Sequence, residues 1–126
     1  MSKVTKFIVA FVAVLHLYFL WFEMFAWTSR GPKIFTSFPP ELFEQTITIA
    51  ANQGLYNGFL AVGLIWSLVI SDIEWQRKIA CCFLLFVLVA GVYGAISIEL
   101  KVLFVQSFPA MLGLLCLFFL RRKDLA

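Results

Sequence analysis

The sequence predicts an all-α integral membrane protein, a four-helix bundle with both termini in the cytoplasm, and three observations predict it. Of 126 residues, 63% are hydrophobic and only 13% are charged, far from the roughly one-quarter charged residues of soluble domains. Four apolar stretches approach the ~20 residues that a bilayer crossing needs. The basic residues gather at the ends of those stretches, so the net charge of +3 is not a nucleic-acid footprint. The chain is expected to be one domain, residues 1–126, with helices over about 7–27, 41–70, 79–98 and 102–120. With the amino terminus inside, Lys3, Lys6, Arg77, Lys78, Arg121, Arg122 and Lys123 face the cytoplasm, against Arg30, Lys33 and Lys101 outside. That bias fixes the orientation.

The first stretch follows Lys3 and Lys6 as a secretory signal would. It is too long and bulky for one, and its far end, Trp21-Phe22-Glu23-Met24-Phe25-Ala26-Trp27, has no small-residue cleavage pattern. It is therefore expected to remain as a helix. Only His16 and Glu23 could carry charge within it, and seven residues of separation put them on one stripe about 10 Å apart along the axis. Glu23 falls about a turn below the outer boundary, and an ionisable group there is a functional candidate. Residues Thr28–Gln45 read as the one substantial loop, with Gly31-Pro32 and Pro39-Pro40 as breakers. Pro40 suits a first helical turn, and Glu41 and Glu44 suit its positive end. A continuous second helix would then align Glu41, Gln45, Thr48, Asn52 and Tyr56 as one polar stripe.

Within that second helix stands Ala51-Asn52-Gln53-Gly54-Leu55-Tyr56-Asn57-Gly58, a polar run in an apolar setting. Its hydrogen-bonding groups need partners wherever water is absent. At about 100° per residue, Asn52, Tyr56, Gln53 and Asn57 span an arc of roughly 140°, opposite Ala50, Ala51, Gly54, Gly58 and Ala61. The small face admits a neighbouring helix closely, and the carboxamide face is left for recognition. The segment Ser71–Lys78 reads as a short solvated inner loop. The third helix carries Gly91-Val92-Tyr93-Gly94-Ala95, with Tyr93 and Ser97 one turn apart on one face. In the fourth, Gln106 lies a turn below the outer connection, and Pro109 cannot donate to the carbonyl of Val105. Cys81, Cys82 and Cys116 form no metal or redox motif and read as small buried hydrophobes.

Glu23, Asn52, Gln53, Tyr56, Asn57, Tyr93, Ser97 and Gln106 all map to the outer half of the spans, above an almost wholly apolar inner half. Such a distribution predicts a pocket opening outward or sideways rather than a pore. Glu23, Tyr56 and Tyr93 are the candidate catalytic groups, as acid or base and oxyanion donors. His16, Asn52, Gln53, Asn57, Ser97 and Gln106 are the candidate substrate-binding groups. No phosphate loop, zinc motif, nucleophile elbow or haem-attachment motif occurs, so no cofactor or metal is expected. The expected partners are the lipid bilayer and a small lipophilic ligand, with room for a homo-oligomer and none for nucleic acid.

Glu23-Met24-Phe25-x-Trp27, the polar run at 51–58, Gly91-Val92-Tyr93-Gly94-Ala95, and Phe104-Val105-Gln106 followed by Pro109-Ala110 together resemble a family of small bacterial membrane proteins catalogued as domain of unknown function 1304. The resemblance covers nearly the whole chain. It implies a four-helix protein of the bacterial inner membrane, passing through it several times, and no particular activity. Three functions compete. The first is a pocket that binds, and by acid–base chemistry transforms, a lipophilic molecule with one polar end. Isomerisation, epoxide opening and cyclisation would all suit its residues. The second is a proton-coupled transporter, because the small multidrug exporters are also four-helix proteins with a membrane glutamate in the first helix. Against it, Glu23 lies near one side and the charge bias fixes a single orientation. The third is a structural subunit of a membrane complex, whose polar groups only hold helices together.

Overall fold

The computed structural model describes residues 1–120, and it is helical, without strands, among them. Six α-helices follow one another: α1 (Lys3–Phe25), α2 (Trp27–Ile34), α3 (Pro40–Gln45), α4 (Ile47–Val69), α5 (Ile73–Ser97) and, after a π-helical stretch Leu103–Ser107, α6 (Phe108–Phe119). Two of these, α1 and α5, are long and apolar enough to cross a membrane. The helix α4 equals α1 at 23 residues, but its carboxamides lower its hydropathy. Leu103–Phe119 forms a shorter apolar helix. Arg121, Arg122 and Lys123, counted in the basic bias, lie outside the described residues. The described residues divide into two compact units, residues 1–14 with 60–120, and residues 15–59.

In the first unit, segments of α1, α4, α5 and α6 supply one apolar core, with Val9, Val12, Leu64, Ala80, Leu84, Val87 and Ala110 fully buried. Close backbone approach replaces bulk at several points. A Cβ on Gly91 would lie 2.8 Å from the backbone nitrogen of Ser107, and the Ser107 hydroxyl donates to the Leu88 carbonyl at 3.0 Å. The π-helical stretch accommodates Pro109. Widening the turn lets Phe108 donate to the Leu103 carbonyl, five residues back, before the proline enters the first turn of α6. The expected single helix over 102–120 is thus two helical forms in series.

The loop between α4 and α5 is also shorter than expected. Asp72 caps α5, accepting from the Trp75 backbone at 2.9 Å, so the helix begins at Ile73 rather than near residue 79. Gln76 is buried, accepts from the Met1 ammonium at 3.1 Å and donates to the Ile70 carbonyl at 3.3 Å. Arg77 donates to the Leu117 carbonyl at 2.6 Å, tying α5 to the last turn of α6. Gln76 and Arg77 are therefore packed, whereas Asp72, Glu74 and Lys78 are exposed, as the solvated reading of this segment expects. Cys81 and Cys116 are half-buried, whereas Cys82 is exposed, against the expectation of three buried thiols.

In the second unit the expected loop over 28–45 is folded. Ala26 breaks α1 at φ −127°, and α2 then runs straight through Gly31-Pro32. A proline disfavours helical geometry in the preceding residue chiefly through that residue's Cβ, which Gly31 lacks. Gly31 is also where the Phe43 ring packs, in the space a Cβ would take. Pro40 and Glu41 occupy the first turn of α3 as expected. That helix stops at Thr46, so the second helix over 41–70 is two helices, and the stripe from Glu41 to Tyr56 is interrupted between Gln45 and Thr48.

Candidate functional site

The second unit holds two polar residues that the sequence singled out separately, Glu23 and Asn57. One turn-and-a-half of α1 presents Leu20, Glu23 and Met24 to α4, at the i, i+3, i+4 spacing of one helix face. Opposite them, α4 presents Gly54, Asn57 and Gly58 with the same spacing. A Cβ on Gly54 would lie 2.9 Å from Met24 Cγ, 3.0 Å from Glu23 Cβ and 3.1 Å from the Leu20 carbonyl oxygen, and one on Gly58 would overlap Leu20. The two backbones are this close because both glycines lack side chains. Their approach lets Asn57 Nδ2 donate to Glu23 Oε2 at 2.7 Å, at the short end for such a bond. Asn57 is buried at 5% exposure and Glu23 is half-buried.

The placement of Asn57 corrects the two-face division of α4. Asn57 points with Gly54 and Gly58 toward α1, while Asn52, Gln53 and Tyr56 are exposed. The helical projection explains it: Asn57 lies only about 20° from Ala50 and 40° from Ala61, at the border of the small face. Asn57 stands near the middle of the 23 residues of α4, about 15 Å along the axis from its first turn.

Above the pair, Trp27 Nε1 donates to Thr46 Oγ1 at 2.9 Å, and the Thr46 hydroxyl in turn donates to the Leu42 carbonyl at 2.7 Å. Trp27 stands in ring contact with Phe22, Phe35 and Phe43 at centroid separations of 5.6, 5.9 and 5.1 Å. Phe38 stacks on Phe35 at 5.6 Å. This aromatic cluster joins α1, α2 and α3, and the Trp27–Thr46 bond extends it to the residue before α4. Reading the segment as a loop missed it. Its signal was the density of Phe35, Phe38 and Phe43 within nine residues that also carry the breakers.

His16, two turns from Glu23 on α1, is buried at 1% exposure, with its ring edge-on to Phe19 at 5.2 Å. Tyr56 is 55% exposed and meets Phe59 edge-on at 5.9 Å. Tyr93, Ser97 and Gln106 belong to the first unit. There Tyr93 is 71% exposed, the Ser97 hydroxyl donates to the Tyr93 carbonyl of its own helix at 2.8 Å, and Gln106 packs beside Gly91. Among the described residues the structure brings Glu23 and Asn57 into contact, and it gives Ser97 a partner within its own helix. No group of three or more histidine, cysteine or acidic side chains gathers among the described residues. Chemically, the pair is a carboxyl group with one oxygen oriented by a neutral donor and the other able to accept from, or exchange a proton with, a bound molecule.

Comparison with known proteins adds a family and one relative. The profile described as "Protein of unknown function (DUF1304)" matches residues 10–118. A protein of Lactococcus lactis subsp. lactis, named "Uncharacterized protein YpaA", is 29% identical over 121 residues, which cover 94% of this chain and the whole of that protein. No solved structure matches.

Proposed function

The chain belongs to the DUF1304 family, and from that premise we propose that it is a four-helix bundle of the bacterial inner membrane, both termini cytoplasmic, that binds a small lipophilic molecule. The site is the Glu23–Asn57 pair in the outer half of the bundle, where Glu23 anchors the polar end of the ligand and serves as acid or base should the ligand be transformed. One observation carries this reading: a carboxyl group and a carboxamide meet at 2.7 Å at the closest approach of two hydrophobic helices. A carboxyl is costly inside such a helix unless partnered, and Asn57 satisfies one of its two oxygens.

A structural clasp is the competing reading, favoured by the glycines that already hold α1 against α4. Native mass spectrometry of the full chain, extracted in mild detergent, separates the two. Wild-type protein is expected to carry a bound lipophilic molecule, and Glu23→Gln and Asn57→Leu to lose at least about tenfold in its occupancy while keeping wild-type thermal stability. Loss of stability in both variants, with no bound molecule in any of them, would make the pair a clasp.

A further inference from the structure

Asn52, Gln53 and Tyr56 take no part in the Glu23 pair. All three are exposed on α4, and none of their side chains makes a hydrogen bond within the chain among the described residues. From Asn57 they lie about 140°, 40° and 100° round the helix. With Thr48, Leu55 and Phe59, also exposed, they form a face with two carboxamides, a phenol, a hydroxyl and apolar bulk, and no charge. We propose that this face of α4, between Thr48 and Phe59, is where two copies of the chain associate about a two-fold axis along the membrane normal. The proposal rests on the membrane-spanning reading above and is independent of the ligand.

The occupant follows from chemistry and symmetry. Carboxamides facing hydrocarbon leave donors and acceptors unsatisfied, at a cost that protein contact removes. Two copies inserted with the same orientation present each residue opposite itself at the same depth. A charged face would repel its own image, whereas a carboxamide carries donor and acceptor in one group and pairs with its image through two reciprocal bonds. Asn52 and Gln53 are therefore self-complementary in the arrangement that a fixed membrane orientation imposes. The Tyr56 and Phe59 rings, already edge to face at 5.9 Å, supply aromatic area of the kind enriched in protein–protein interfaces. Close interhelical packing by Gly54 and Gly58 is unavailable for this contact, because α1 already occupies that side. Association must then run through the polar face.

The test is energy transfer between donor- and acceptor-tagged full chains in phosphatidylcholine vesicles, over a series of protein-to-lipid ratios, with flotation confirming insertion. Wild-type chains should transfer energy above the level of random crowding. Asn52→Leu combined with Gln53→Leu should raise the apparent dissociation constant at least about tenfold, with helix content unchanged by circular dichroism. Tyr93→Leu with Ser97→Leu, on an exposed face of α5, should leave transfer at the wild-type level. Chains that float with the vesicles yet transfer no more than crowding predicts would overturn the proposal while leaving the membrane reading intact. Transfer that survives the Asn52 and Gln53 substitutions would overturn it too. So would a monomeric wild type that carries a bound molecule lost in that double variant, because the face would then belong to a ligand.

Discussion

Gly54→Ala turns the close approach of α1 and α4 into a measurable sign. In an isolated helix the change is favourable by about 1 kcal/mol, because alanine restricts the unfolded backbone more than glycine does. Here the added methyl would stand 3.0 Å from Glu23 Cβ and 3.1 Å from the Leu20 carbonyl oxygen, where ordinary contact begins at 3.4 Å. Met24 Cγ, at 2.9 Å, can swing aside. The other two are fixed to the α1 backbone, so the helices must part by about 0.3–0.4 Å, which places the change in the upper part of the ~1–3 kcal/mol range for overpacking. Less the gain in propensity, the net loss is about 1–2 kcal/mol. At roughly 2 cal/mol/K per residue of unfolding entropy, the apparent midpoint in detergent falls by about 4–8 °C. Parting the helices also stretches the 2.7 Å Asn57–Glu23 bond toward the limit of good geometry. Differential scanning of the purified variant gives the midpoint. A variant as stable as wild type, or more so, would mean that α1 and α4 are not in contact at Gly54.

Removing the indole donor with Trp27→Phe should keep most of the ring packing and lose only the bond to Thr46, lowering stability by about 1 kcal/mol; a thermal midpoint unchanged within 1–2 °C by the same order-of-magnitude scaling would deny that bond a structural role. For orientation, a phosphatase reporter fused after Ala126 should be silent and one inserted between Thr36 and Ser37 active; the reverse pattern would invert the topology derived from the basic residues.

Much of the fold was legible because hydropathy and length act over whole segments. The cores of α1 and α5 follow from apolar stretches in which no local choice competes, and Pro40 with Glu41 marked the start of α3 by capping chemistry alone. What escaped was decided by tertiary contact. Gly31-Pro32 looks like a breaker until Phe43 is seen to need the space beside Gly31, and no local rule brings residue 43 to residue 31. Thr46 reads as an ordinary helical residue until Trp27 fixes its hydroxyl. The site was legible to the level of residue type: Glu23 and Asn57 were both candidates. Their partnership was not, because Asn57 sits at the border between two faces of α4, and a projection assigns a border residue to either side. Only the position of α1 decides it.

Whether a pair at such a border is glue or function can be weighed by magnitude. A carboxyl-bearing side chain at the centre of a membrane helix costs about 2.5–3.5 kcal/mol to insert, and an interhelical hydrogen bond in a membrane returns on average about 0.6 kcal/mol. Asn57 stands half-way along α4, but the carboxyl belongs to Glu23, two residues from the end of α1, so on the membrane-spanning reading the pair bears part of that cost. Gly54 and Gly58 already bring the backbones together, and leucine or alanine beside them would hold the same contact without that cost. As an adhesive the pair returns only about 0.6 kcal/mol against that cost. The aromatic cluster, which joins α1, α2 and α3, and the Trp27–Thr46 bond, which reaches the residue before α4, help to offset that cost by holding this end of the unit together. Under the proposed function, a polar pair retained at that cost, with one carboxyl oxygen left for another partner, is organised as a binding group and not as a fastener.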